Sequence, residues 1–293
     1  MKKFLLSFSA LAAMLATTAT FSACSSDDEQ QSATLALNAV KGDYGFGTRA
    51  ISYVDASDVT KGITTTWKTT DKVAVYKEGW AAKIGDLTPI SDSQDNTTKL
   101  DGNVSSSGMN IGDRTELIMP RTTWSYADQD GTIETISSTF DYAIASAQVT
   151  FIDQNKKIYA SDAMFKTQQA IVRYIIKYGS ETKKFTSLTI VAESGKLVKS
   201  RSLDGSSVEY GGLEIKPSSA TNIFDVALRN DNTAADKYTL TVKDEEGKIY
   251  SSTSTQSHSY AWGKFIIHEV NVAFVDDTHT ERDTYQYQGT ETW

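Results

Sequence analysis

Leu35, Leu37 and Ala39 alternate with Thr34, Ala36, Asn38 and Val40. That period of two belongs to an extended strand with one apolar face. Short runs rich in β-branched and aromatic residues recur down the chain, at 71–76, 83–90, 97–100, 114–119, 148–152, 170–176, 185–191, 213–215, 222–228, 238–242, 248–250 and 265–274. Clusters of Asp, Gly, Ser and Asn punctuate them, and helical periodicity is hard to find. This pattern predicts an all-β protein, a sandwich or barrel of many short strands. Asp130-Gly131 predicts a hairpin turn between 124–126 and 132–136, and Asp244-Glu245-Glu246-Gly247 another between 238–242 and 248–250. Residues 161–165 read as a short turn or helical bend. In the last strand Ile266, His268, Val270, Val272 and Phe274 form the more apolar set and are expected to face the core.

The N-terminus decides where the chain lives. Lys2 and Lys3 precede residues 4–23, which carry no charge and end at small residues, the layout of a signal peptide. The only cysteine, Cys24, follows Phe21-Ser22-Ala23. This resembles a bacterial lipobox, in which the peptide is cut between Ala23 and Cys24 and the thiol is acylated. A single cysteine cannot belong to an internal disulfide framework. Several acyl chains anchor firmly where one does not, at about 0.8 kcal/mol per buried methylene. Ser26-Asp27-Asp28-Glu29 looks like the acidic signal that sends some lipoproteins to the outer face of the outer membrane; it also suits a soluble tether.

Removing the first 23 of 293 residues leaves 270, enough for one large or two medium domains. Hydrophobic residues make up 39% and charged residues 23%, so the chain can bury a core and is not disordered as a whole. Without Lys2 and Lys3 the formal charge moves from −8 to −10. An acidic chain with no basic stripe argues against nucleic acid. No second apolar run approaches the length of a membrane span.

Catalytic and cofactor signals are weak. His258, His268 and His279 show no metal-ligand spacing. Gly45-x-Gly47-x-x-Ala50 matches a dinucleotide fingerprint only nominally, because Ile51-Ser52-Tyr53 reads as extended where that motif needs a helix. Residues 92–96 hold acidic and polar groups but lack the glycine and distal Glu of a calcium loop, so turn chemistry accounts for them better. Carboxylate pairs are plentiful and none stands out. Trp80, Trp124 and Trp262 read as exposed aromatics, either edge cover or a sugar platform. No enzyme, cofactor or metal is expected. After Val275 the chain turns polar, yet Tyr285, Tyr287 and Trp293 share one parity, as a strand awaiting a groove would.

Several features coincide in order: the lipobox, the first strand, Thr48-Arg49-Ala50, Trp67 before Asp71-Lys72-Val73-Ala74-Val75-Tyr76, Ser161-Asp162-Ala163-Met164, Gly247-Lys248-Ile249-Tyr250, and Trp262-Gly263-Lys264-Phe265. Together they resemble the fimbrillin-like family, the fimbrial lipoproteins of anaerobic Gram-negative bacteria. The last motif departs mildly, with Phe265 where Tyr is commoner. The resemblance implies two tandem transthyretin-like β-sandwich domains, here 34–158 and 159–276, after a signal peptide (1–23) and a lipidated linker (24–33). It implies cleavage by an arginine-specific protease between Arg49 and Ala50, loss of the first strand, and filling of the groove by a neighbour's C-terminal strand. The donor would be the tail 277–293, with Tyr285, Tyr287 and Trp293 as its apolar parity. The implied partners are other fimbrial subunits in a head-to-tail homo- or heteropolymer, the outer membrane through lipid, and host surface proteins or glycans. The alternative is a surface glycan-binding or adhesive lipoprotein that never polymerises. The anchor is tested directly: Cys24→Ala is expected to move the protein from the membrane fraction into the aqueous phase on detergent partitioning.

Overall fold

A computed structural model describes residues 32–41, 51–58, 62–93, 95–120, 123–231, 234–275 and 283–285. The described chain is all-β. Its first part holds β1 (Ser32–Lys41), β2 (Ile51–Tyr53), β3 (Ile63–Thr65), β4 (Val73–Lys77), β5 (Lys83–Pro89), β6 (Thr97–Ser105), β7 (Arg114–Met119), β8 (Thr123–Ser125), β9 (Ala143–Ile152), β10 (Ile158–Ala160) and β11 (Ala163–Thr167). The second part holds β12 (Ala170–Lys177), β13 (Phe185–Ala192), β14 (Val198–Ser202), β15 (Val208–Tyr210), β16 (Leu213–Ile215), β17 (Ile223–Leu228), β18 (Tyr238–Asp244), β19 (Ile249–Ser254), β20 (Phe265–Asn271), β21 (Ala273–Phe274) and β22 (Asp283–Tyr285).

The first sheet runs β10-β1-β11-β9-β7-β4-β5-β6, and β6 then pairs back onto β1. The ladder therefore closes on itself as a barrel, which removes its edges. Trp67, Val73, Val75, Leu87, Leu100, Leu117 and Phe165 fill the interior. Residues 158–167, on both sides of the expected division at 158/159, hydrogen-bond into this sheet, and β11 is its last strand in chain order.

The second pack has a three-stranded sheet, β17-β12-β20, and a sheet ordered β16-β13-β18-β19-β21. Both contribute to one buried core with Ile171, Val172, Tyr174, Leu188, Ile190, Phe224, Leu240 and Val242. Ala74, Tyr76 and Ile118 from the outward faces of β4 and β7 join that same core. These two strands are thus buried on both sides, which is why 73–76 reads as a continuous apolar run rather than an alternation.

Three sequence expectations are corrected. Residues 132–136 do not form the second arm of a hairpin. A helical turn, Ile133–Thr135, continues as Ile136–Phe140. Thr132 caps it, its hydroxyl accepting from the Thr135 N–H, while Asp130 accepts from the Thr132 N–H and from both threonine hydroxyls. Ile133, Ile136 and Phe140 then turn into the second core. Residues 163–167 are strand β11, not a bend. In β20 both faces are buried, since Phe265, Ile266, Ile267, His268 and Val270 are all inside, whereas Phe274 is exposed beyond the break at Val272. Parallel pairing with β12 in a covered sheet accounts for the two-sided burial. The hairpin at Asp244–Gly247 forms as expected, with Gly247 at φ 83°.

β5 and β6 approach each other closely at two glycines. A Cβ on Gly102 would lie 2.2 Å from the Asp86 carbonyl oxygen, and one on Gly85 2.2 Å from that of Asn103. Glycine is needed there for close backbone approach rather than for a special dihedral. Gly102→Val is expected to cost about 1–3 kcal/mol of unfolding free energy, read as a lowered denaturant midpoint.

Candidate functional site

The first strand is both the segment that sequence reasoning marks as removable and a stave of the barrel. β1 pairs antiparallel with β6 from Ser32↔Ser105 to Val40↔Thr97. On its other side it pairs parallel with β10, Leu35↔Ile158, and with β11, Ala39↔Ala163. Ala33, Leu35, Leu37 and Ala39 point inward and are buried. The expected apolar face of 34–40 is therefore the face that fills the barrel. Burying the two leucines alone contributes about 3–6 kcal/mol. Withdrawing β1 would uncover two rows of backbone donors and acceptors and the apolar slot between them.

Two polar contacts strap β1 from outside. The Asn38 amide donates to Asp162 Oδ1 at 2.9 Å. Lys157, just before β10, sends its ammonium across β1 to Asp101 Oδ2 on β6 at 3.2 Å. The same ammonium sits 5.8 Å from the Tyr159 ring centroid. Asp101 and Tyr159 are the two register neighbours of Ala36. The ion pair thus runs over the outer face of β1 at its smallest residue. It is about one-third exposed, so its contribution to stability is small, about 0–1 kcal/mol.

Past residues 42–50, the chain is held elsewhere. Tyr53 on β2 donates its hydroxyl to Asp225 Oδ2 and accepts from Arg173. Arg173 reaches Asp225 through Nε and a terminal nitrogen, each at 2.8 Å, and its guanidinium lies 4.3 Å from the Tyr53 ring centroid. Burial, then the Asp225 carboxylate, push the Tyr53 phenol far above its ordinary value. β1 thus belongs to the barrel core, while the next described strand is pinned to the second core.

Cys24, Ala23, Arg49, Ala50, Tyr287 and Trp293 lie outside the described residues, as does His279. Tyr285 ends β22, which pairs parallel with β19, Ser252↔Asp283 to Ser254↔Tyr285. Trp124, expected at the surface, is buried, stacked on Tyr142 with the Arg229 guanidinium 5.0 Å away; Trp262 is exposed. Residues 92–96 do turn work, with Asp92 accepting from the Thr69 N–H, Asp95 from the Thr97 N–H, and the Asn96 carbonyl from the Trp67 indole. Among the described residues no group of three or more His, Cys, Asp or Glu is arranged to hold a metal ion, and no helix is long and apolar enough to cross a membrane.

Sequence reasoning missed Lys157, Asp101, Tyr53, Arg173 and Asp225. Lys157 closes the polar run 153–157 just ahead of the expected division at 158/159. Arg173 and Asp225 interrupt apolar strands and face each other across the β12–β17 ladder; only the register reveals that they pair.

Two groups with large shifts sit in the second pack. His268 is buried, stacked on Tyr174 and 5.1 Å from the His258 ring. Burial, then the charge of His258, lower its pKa to about 3. Burial alone would raise Asp244, but hydrogen bonds from Lys183, the Lys248 N–H and Tyr250 bring it down to about 2.

No protein-family model matches the chain, and no curated protein matches it. Similar solved structures include a candidate cell adhesion protein from Bacteroides ovatus, 11% identical over 84% of this chain and 95% of that one, at a TM-score of 0.45. Another candidate cell adhesion protein, from Bacteroides uniformis, is 14% identical over 82% and 95%, at 0.43. A fimbrial protein from Bacteroides ovatus is 13% identical over 87% of this chain and 50% of that one, at 0.38. Identities this low and TM-scores below 0.5 leave function to be argued from this chain's own residues.

A histidine that stays neutral when folded, but has an ordinary pKa near 6.5 when unfolded, loses stability as pH falls from about 6.5 toward 3. Asp244 adds its own loss only below about pH 4. The melting temperature is therefore expected to fall between pH 6.5 and 4.5, by the equivalent of roughly 2–3 kcal/mol. His268→Phe is expected to flatten the fall, as a calorimetric pH series would register.

Proposed function

We propose that this protein is a non-catalytic structural subunit of surface fimbriae, carried to the outer membrane as a lipoprotein on Cys24 and polymerised by strand exchange. An arginine-specific protease cuts between Arg49 and Ala50, β1 leaves, and the C-terminal strand of another subunit takes its place. On this reading the barrel and the second pack are the two transthyretin-like units, and the tail beyond Val275, including Tyr285, Tyr287 and Trp293, is the donor.

The observation that supports this most is the position of β1. It precedes Arg49, pairs on both sides, and fills the barrel with its own apolar face. A strand so placed leaves behind a slot that only another strand can satisfy, because both apolar surface and backbone groups need partners. The Tyr53–Asp225–Arg173 contacts keep the trimmed end on the second pack, so the cut frees β1 without loosening β2. Filling a slot in one copy with the tail of the next is a head-to-tail contact, and such contacts propagate as filaments.

The test is to treat the detergent-solubilised protein with an arginine-specific protease. The expected result is a mature N-terminus at Ala50 and, with other fimbrial subunits present, a ladder of oligomers on gels run without boiling. Arg49→Ala is expected to abolish both. A cut protein that stays monomeric in the presence of other fimbrial subunits would leave the non-polymerising adhesive lipoprotein as the better account.

A further inference from the structure

We infer that the slot of β1 selects against this chain's own tail and is built for the tail of a different subunit. The inference rests on the strand-exchange reading and names the partner for that site. Along its inward face β1 presents Ala33, Leu35, Leu37 and Ala39, a sequence of small, large, large, small. The walls are close and mostly apolar. Val104 is opposite Ala33, Gly102 opposite Leu35, Leu100 opposite Leu37, and Ala39 lies between Thr98 and Ala163. Leu35 and Ala39 have no exposed surface, and a core packed at crystal-like density has no slack for added volume.

The tail Thr280 to Trp293 has a single pair of large apolar residues spaced by two, Tyr285 and Tyr287. Set against Leu35 and Leu37, they force the rest of the register. Run in the direction of β1, the tail puts Asp283 at Ala33 and Gly289 at Ala39; run in reverse, it exchanges the two. Either way a carboxylate enters a buried apolar position, where desolvation of the charge opposes binding. Two phenols also replace two leucines, adding volume, and each buried hydroxyl needs a partner. The other parity offers Thr284, Gln286 and Gln288 and nothing apolar. In the structure Asp283–Tyr285 lies along β19, away from the slot. The partner that fits carries a strand with small, large aliphatic, large aliphatic, small residues on one face and no charge among them.

The experiment starts from protein cut after Arg49 with β1 still seated, and tracks displacement of β1 by mass spectrometry under native conditions. Three synthetic peptides compete: an isotopically labelled copy of residues 32–41, the native tail 280–293, and that tail with Asp283→Ala, Tyr285→Leu and Tyr287→Leu. The labelled β1 copy and the redesigned tail are expected to exchange in. The native tail is expected to need a concentration on the order of 100-fold higher. Equal displacement by native and redesigned tails overturns this inference and leaves the strand-exchange reading standing. A labelled β1 copy that never exchanges overturns the strand-exchange reading, and the inference falls with it.

Discussion

Pairing of β1 with β6 on one side and with β10 and β11 on the other closes the barrel, and the rest of the first unit depends on that closure. A sheet open at this point would present the edges of β6 and β10–β11 to solvent, together with the apolar faces of Leu100, Val104 and Phe165. Closure satisfies the backbone groups and buries the interior in one act. The strand that does so is the first of the fold and is joined to β2 through residues 42–50. Its inward side chains are modest, two alanines and two leucines. Much of its hold therefore comes from the backbone ladders, which any strand of suitable register can reproduce.

The second unit is built on a different economy. Its core takes in strands from two sheets and also the outer faces of β4 and β7, so barrel and second pack share buried surface. The Arg173–Asp225 pair is nearly buried, and breaking it would strand a charge in low dielectric. Tyr53 uses that pair as an anchor. The chain thus has one strand held by backbone ladders and apolar packing, succeeded by one held by a buried charge pair, with Arg49 between them in sequence. His268 and Asp244, whose pKa values are lowered by burial and by hydrogen bonding respectively, both lie in the second pack.

The alternation of Leu35, Leu37 and Ala39 made both the strand and its buried face legible, because a period of two has one structural meaning. The Asp244–Gly247 hairpin was legible for a similar local reason. Residues 132–136 misled because Thr and Ile suit a strand by propensity, whereas the Thr132 and Asp130 hydrogen bonds favour a helical turn. In β20 the alternation implied one buried face, but a strand parallel to its neighbour inside a covered sheet is buried on both. Lys157 and Asp101 carry no sequence signal, since their meeting depends on which strands lie either side of β1.

The sequence by itself determined the fold class, the apolar side of the first strand, the lipobox-like setting of the single cysteine and the arginine ahead of Ala50, because each is a matter of local composition or short period. Only the tertiary structure decided that β1 is a stave rather than a peripheral strand, that β10 and β11 flank it in parallel, and that Tyr53 is pinned to a different core. Those are long-range pairings. Many registers are compatible with the same alternating pattern, and the choice among them is made by how the whole set of strands closes and packs.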